Sequence, residues 1–109
     1  MNWIDLNSIE QLNKIRELSK IRPQAIFKHS TRCFISSIIK ERLELVGPPG
    51  ETDFYFLDLL RYRQISNKIA SEFSVQHQSP QILLIKNGEC VYDESHNDIE
   101  MDEIAAQAK

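Results

Sequence analysis

The chain has 109 residues, 41% of them apolar and 27% charged, with a formal net charge of −3. That balance fits one ordinary globular domain over residues 1–109 and lacks the clustered basic face of a dedicated nucleic-acid binder. No apolar run approaches the roughly 18–20 residues of a membrane-spanning helix, and Met1-Asn2-Trp3-Ile4-Asp5 has no secretory-signal pattern, so a cytoplasmic protein without a membrane partner is expected.

Ser8 followed by Gln11 fits a capping box, and Ile9, Leu12, Ile15 and Leu18 recur at helical spacing. A helix is therefore predicted over residues 8–19, with Pro23 stopping any continuation. Residues 24–29 read as a short buried strand. Ser30-Thr31, both N-cap formers, lead into a second helix over about 33–43, with Ile35, Ile38, Ile39 and Arg42/Leu43 as its expected apolar stripe. Gly47-Pro48-Pro49-Gly50 is a loop.

A second strand is predicted over 53–59, rich in Phe, Tyr and Leu. A third helix follows over 62–73, with Tyr62, Ile65, Ile69 and Phe73 on one face. The nearly continuous apolar run Gln81-Ile82-Leu83-Leu84-Ile85-Lys86 predicts a strand buried on both faces. Asn87-Gly88 is a hairpin turn into a last strand over 89–93. Asp98 is expected to cap a final helix over 99–107, with Ile99, Ile104 and Ala108 as its apolar edge. The order α-β-α-β-α-β-β-α, parallel first and ending in a hairpin, implies an α/β protein with a central mixed four-stranded sheet flanked by helices. This is the thioredoxin topology.

Cys33 lies where a strand ends and a helix begins. The unpaired N–H groups and positive dipole end of a first helical turn stabilise a thiolate and lower its pKa. Arg32 and Lys28 are expected to add positive charge, and His29 a titratable neighbour. A lone cysteine is more often a buried, inert side chain, and it is the helix-start position that favours reactivity. Pro80 precedes the apolar strand. A proline beside the thiol has no N–H of its own and leaves neighbouring backbone free to pair with an extended substrate.

Other polar residues carry weaker signals. The two cysteines, Cys33 and Cys90, form no C-x-x-C pair. His29, His77 and His96 match no compact metal motif, so no metal site is expected. Arg63, Ser66 and Asn67 suit either ligand carboxylates or a structural role, and the structural role is favoured. Asp53 and Asp58 are candidates for a proton acceptor near the thiol, although such residues mostly face solvent. Cys90 reads as a small buried strand residue.

The segment Phe27-Lys28-His29-Ser30-Thr31-Arg32-Cys33-Phe34-Ile35-Ser36 resembles the active-site stretch of the monothiol bacilliredoxins, the YtxJ-like proteins of the bacillithiol system. Tyr62-Arg63-Gln64-Ile65-Ser66-Asn67, then Val75, His77 and Ser79-Pro80-Gln81, resemble that family's third helix and cis-proline loop. Asn87-Gly88 and Ser95-His96 also match, so the resemblance runs from about residue 24 to 107.

The resemblance implies that Cys33 is the attacking cysteine and Pro80 the cis-proline, with Thr31, Arg32, Phe34, Ser79 and Pro80 contacting substrate. It implies that the protein takes bacillithiol, a low-molecular-weight thiol, from mixed disulfides on S-bacillithiolated client proteins. Bacillithiol then serves as co-substrate, and no other cofactor is implied. One departure is Phe34, where members often carry proline. It restores an N–H at the first helical position and adds apolar surface beside the sulfur. The alternatives are a non-catalytic thioredoxin-fold redox sensor or adaptor, and a Cys33–Cys90 dithiol couple, which the fold disfavours.

Overall fold

The computed structural model describes residues 1–109 and contains ten short elements. They are β1 (Trp3–Asp5), α1 (Glu10–Leu18), β2 (Gln24–His29), α2 (Phe34–Val46), β3 (Asp53–Asp58), α3 (Arg63–Glu72), β4 (Gln81–Lys86), β5 (Glu89–Ser95), a 3-10 turn (His96–Asp98) and α4 (Met101–Ala108). The strands form one sheet in the order β1-β3-β2-β4-β5. Pairs β1–β3 and β2–β3 are parallel, and β2–β4 and β4–β5 are antiparallel.

The sheet has five strands, not the expected four. The extra one, β1, is three residues long and too short to show a period-two pattern. It is held by pairing of Trp3, Ile4 and Asp5 with Phe54, Tyr55 and Phe56. Trp3 also packs against Phe27, Phe54 and Phe56, with ring centroids 5.6, 5.9 and 6.1 Å away.

Side chains alternate across a strand, so β2 feeds both faces of the sheet. Ile26 joins Leu12, Ile15, Leu57, Ile65, Ile69, Leu83 and Ile85 under α1 and α3. Ala25 and Phe27 join Ile39, Leu43, Phe54, Ile82, Leu84 and Ile104 under α2 and α4. All of β2, and Gln81 to Ile85 of β4, are buried. These strands run through the middle of the sheet, and their hydrogen-bonding edges are both occupied.

Three local expectations change. In α2 the buried side is Ser36, Ile39 and Leu43, while Ile35 and Ile38 point outward. Arg42 donates instead to the carbonyls of Asn97 and Ile99, tying α2 to the chain before α4. The last helix begins after Glu100, not at Asp98, because His96–Asp98 closes a 3-10 turn first. At the first helix only half of the capping box forms. Gln11 Oε1 accepts from the Ser8 amide at 3.0 Å, but the Ser8 hydroxyl turns to that same oxygen rather than capping the backbone.

Candidate active site at Cys33

The end of β2 delivers the chain to a short turn at Ser30–Arg32, closed by the Cys33 amide donating to the Ser30 carbonyl at 3.0 Å. Cys33 is the N-cap of α2, in extended conformation at φ −103° and ψ 114°. Its side chain is half-exposed, so the sulfur is not sealed in the core. It closes no capping hydrogen bond as a thiol. The Ser36 amide, then the Ser36 hydroxyl and the Ile35 amide, favour the thiolate and hold the thiol pKa below its ordinary value against a smaller opposing effect of burial.

The charges expected to assist lie elsewhere. Lys28 points to the α3 face, away from α2, and its ammonium sits against Ser66 and His77. His29 is buried on the α2 side against Phe27 and Phe56, with ring centroids 5.8 and 4.9 Å away. Burial, then nearby Lys40, lower its pKa against an opposing pull from Asp58, so its ring is neutral at pH 7. Arg32 is exposed. Helix-start donors, rather than side-chain cations, are what activate this sulfur.

The other predicted site residues surround the same end of the sheet. Thr31 is exposed in the turn. Phe34 is 79% exposed at the first position of α2, with Ile35 and Ile38 also outward on that helix. The Ser79–Pro80 bond is cis, and Pro80 is buried. The last β2–β4 pair is Lys28 with Gln81, so His29 and Pro80 are the next positions along. The Ser79 hydroxyl is buried without a partner, and the Pro80 carbonyl accepts from the His96 amide at 3.0 Å. No deep cavity encloses Cys33. The largest depression, about 730 Å³, lies at the opposite end of the sheet around Arg22, Thr52 and Asp53.

The remaining candidates separate from the thiol. Asp53 is at that far end, paired with Arg22 at 2.8 Å. Asp58 accepts from the Leu60 and Arg61 amides and shapes the turn into α3. Neither is placed as a proton acceptor for the sulfur. Arg63 and Asn67 are exposed on α3, whereas Ser66 is buried and faces His77. His96 is exposed in the 3-10 turn. Cys90 is on β5 and packs against the α1/α3 core. Burial pushes its thiol up to about 11, and its Sγ donates to the Tyr92 carbonyl.

Two contributors escaped sequence reasoning. Ser36, outside the apolar stripe expected for α2, is fully buried and is the main donor toward Cys33. Gln81 is also fully buried. Its side chain donates to the Gln76 carbonyl and accepts from the Gln78 amide, bracing the loop before Pro80.

Comparison with known proteins agrees with this arrangement. A family model described as monothiol bacilliredoxin BrxC matches residues 4–104. Among solved structures, the chain is similar to a thioredoxin-fold protein assigned as an oxidoreductase. The two share 31% identity, with 97% of this chain and 93% of that one covered, at a TM-score of 0.82. It is also similar in fold to the thioredoxin of Fasciola hepatica, at 22% identity, 96% and 98% coverage and a TM-score of 0.74. The thioredoxin of Malassezia sympodialis is a further match, at 18% identity, 96% and 86% coverage and a TM-score of 0.72.

Proposed function

Because this chain belongs to the monothiol bacilliredoxin family, a group of thioredoxin-fold thiol–disulfide redox proteins, we propose that Cys33 removes bacillithiol from mixed disulfides on client proteins. The observation that carries the reading is a half-exposed sulfur at the N-cap of α2, with donors from Ser36 and Ile35 favouring its thiolate.

The chemistry balances without a further oxidant. The Cys33 thiolate attacks the bacillithiol sulfur of the mixed disulfide. The client S–S bond breaks, and the client sulfur leaves with the electron pair and takes a proton from water. Cys33 now carries bacillithiol in a new disulfide. A second bacillithiol thiolate attacks that adduct, releases the Cys33 thiolate and leaves as the bacillithiol disulfide. One disulfide bond is exchanged for another at each step: overall the client sulfur formally gains one electron, the sulfur of the second bacillithiol loses one, and the first bacillithiol stays at the disulfide level. A lower pKa also makes Cys33 a better leaving group in the second step.

The setting suits a large, protruding substrate. Phe34, Ile35 and Ile38 give an apolar rim, Thr31 and Arg32 are exposed at the turn, and the loop at Ser79 and Pro80 comes to the same end of the sheet. The shallow surface admits a disulfide carried on a folded client, in a reducing cytoplasm where such adducts arise under oxidative stress. The test is exchange with a bacillithiolated model protein. Wild type should release the client thiol over several turnovers when free bacillithiol is supplied, and Cys33→Ser should release none. A single stoichiometric capture without turnover would point to a sensor instead.

A further inference from the structure

Lys28 is fully buried, yet it pairs with no carboxylate. A buried, unpaired ammonium is expensive to keep, so its retention asks for a reason beyond packing. Its Nζ lies 3.2 Å from the Ser66 carbonyl of α3 and 3.2 Å from His77 Nδ1. The Ser66 hydroxyl is 3.4 Å from the same ring nitrogen. His77 belongs to the irregular stretch that leads to Ser79 and Pro80. One residue on β2 therefore reaches the loop before Pro80, at the same end of the sheet from which the chain leads to Cys33.

We propose that Lys28 is a positioning residue for the exchange reaction: by donating to His77 Nδ1 it holds the loop before Pro80 in its substrate-receiving shape, and this hold requires an unprotonated His77 ring. The proposal rests on the thiol-exchange reading above. Nδ1 can accept from Lys28 only while it carries no proton. Protonating His77 sets two positive charges 3.2 Å apart with no acid between them. The charged groups facing His77 are Lys28 from β2 and Arg63 from α3, both positive. With partial burial as the larger cause, they hold its pKa below the ordinary histidine value. The ring is thus neutral and bound near pH 7, and releases as the pH falls through its lowered pKa. Gln81 braces Gln76 and Gln78 independently, so the loop loosens on the His77 side rather than melting as a whole.

The experiment compares wild type, Lys28→Met and His77→Asn, the last keeping a side-chain acceptor that does not titrate. The substrate is a peptide carrying a cysteine–bacillithiol mixed disulfide, assayed at pH 7.5 and pH 5. Cys33 alkylation by iodoacetamide and hydrogen exchange of the Gln76–Ser79 amides, corrected for intrinsic rates, are measured alongside. Lys28→Met should raise KM by about tenfold, the size of one lost hydrogen bond to a charged group. It should speed exchange of the loop amides and leave the alkylation rate at Cys33 within about twofold, a change under 0.5 kcal/mol. Wild type should show the same KM rise on moving to pH 5, and His77→Asn should show a much smaller one.

Unchanged loop exchange in Lys28→Met overturns the hold. Faster loop exchange with unchanged KM overturns the positioning role. Equal acid sensitivity in wild type and His77→Asn overturns the requirement for a neutral ring. If wild type alkylates readily but never exchanges, the thiol-exchange reading fails, and the positioning role fails with it. Normal exchange alongside an inert Lys28 leaves that reading intact and removes this proposal alone.

Discussion

Lys28 and Gln81 face each other across β2 and β4, and both send fully buried side chains into the same short loop. Lys28 reaches His77, and Gln81 grips Gln76 and Gln78. One cross-strand pair at the end of the sheet thus fixes the approach to Pro80, while the neighbouring strand end launches Cys33. The turn to Cys33 and the loop to Pro80 leave the sheet at the same end of two paired strands.

The cost of the buried ammonium gives a first prediction. Lys28 titrates at about 8 in the fold, against an ordinary 10.5. The unfolded chain binds more protons between those values, so Lys28 makes wild-type stability rise with pH across about 8 to 10.5. Below about pH 8 its full penalty applies, roughly 3 kcal/mol before its hydrogen bonds are credited. Lys28→Met is expected to be the more stable protein at pH 7, by about 1–2 kcal/mol once roughly 1–2 kcal/mol of lost hydrogen bonding is deducted. The advantage should shrink by pH 10. Urea unfolding of both proteins at pH 7 and 10 checks this, and a pH-independent difference would contradict it.

Ser36 supplies the main donors toward Cys33. Ser36→Ala removes the hydroxyl and keeps the amide. The midpoint of Cys33 alkylation against pH should rise by about one pH unit, equivalent to one charge-assisted hydrogen bond of about 1.5 kcal/mol. Exchange at pH 7 should slow accordingly. An unmoved midpoint would assign the activation to the backbone alone.

Cys90 should be a bystander. Its thiol is pushed up to about 11 by burial, and it lies on β5 against the α1/α3 core. Cys90→Ser should leave exchange unchanged, and Cys90 in wild type should alkylate only when the protein is unfolded. Intact mass after mild oxidation should show no loss of two hydrogens within the chain. Such a loss would revive a Cys33–Cys90 couple.

Trp3 anchors the edge strand through Phe27, Phe54 and Phe56, and its indole donates to Glu44 at 2.6 Å. Trp3→Ala should destabilise by about 2–3 kcal/mol, less than a fully buried aromatic because the side chain is half-exposed. Alkylation of Cys33 should be little changed. Urea unfolding and the iodoacetamide rate together separate the two effects.

Much of this was legible in the residues, for local reasons. The strand-to-helix step at His29–Cys33 combines a buried run, two cap formers and an apolar helix, and each signal acts within a few positions. Gln81–Ile85 announces a central strand by its lack of polar alternation. What stayed hidden depended on distant partners. Lys28 reads as a charge beside Cys33 until Ser66 and His77, 38 and 49 positions away, are folded against it. Ser36 lies outside the apolar stripe that the spacing predicts for α2, and its hydroxyl is used inward by the Ser30 amide and Cys33. The strand Trp3–Asp5 offers three residues, too few for a pattern, and exists because β3 has a free edge to pair with.

The decisive observation is the fate of one bacillithiol group. A model protein carrying a single bacillithiol mixed disulfide is mixed with the wild-type chain, and intact masses are followed in time. Cys33 should gain one bacillithiol as the client loses one, and Cys33→Ser should gain none. A Cys33 that alkylates no faster than free cysteine, with the client's adduct left in place, would contradict an activated, accessible thiolate at the start of α2.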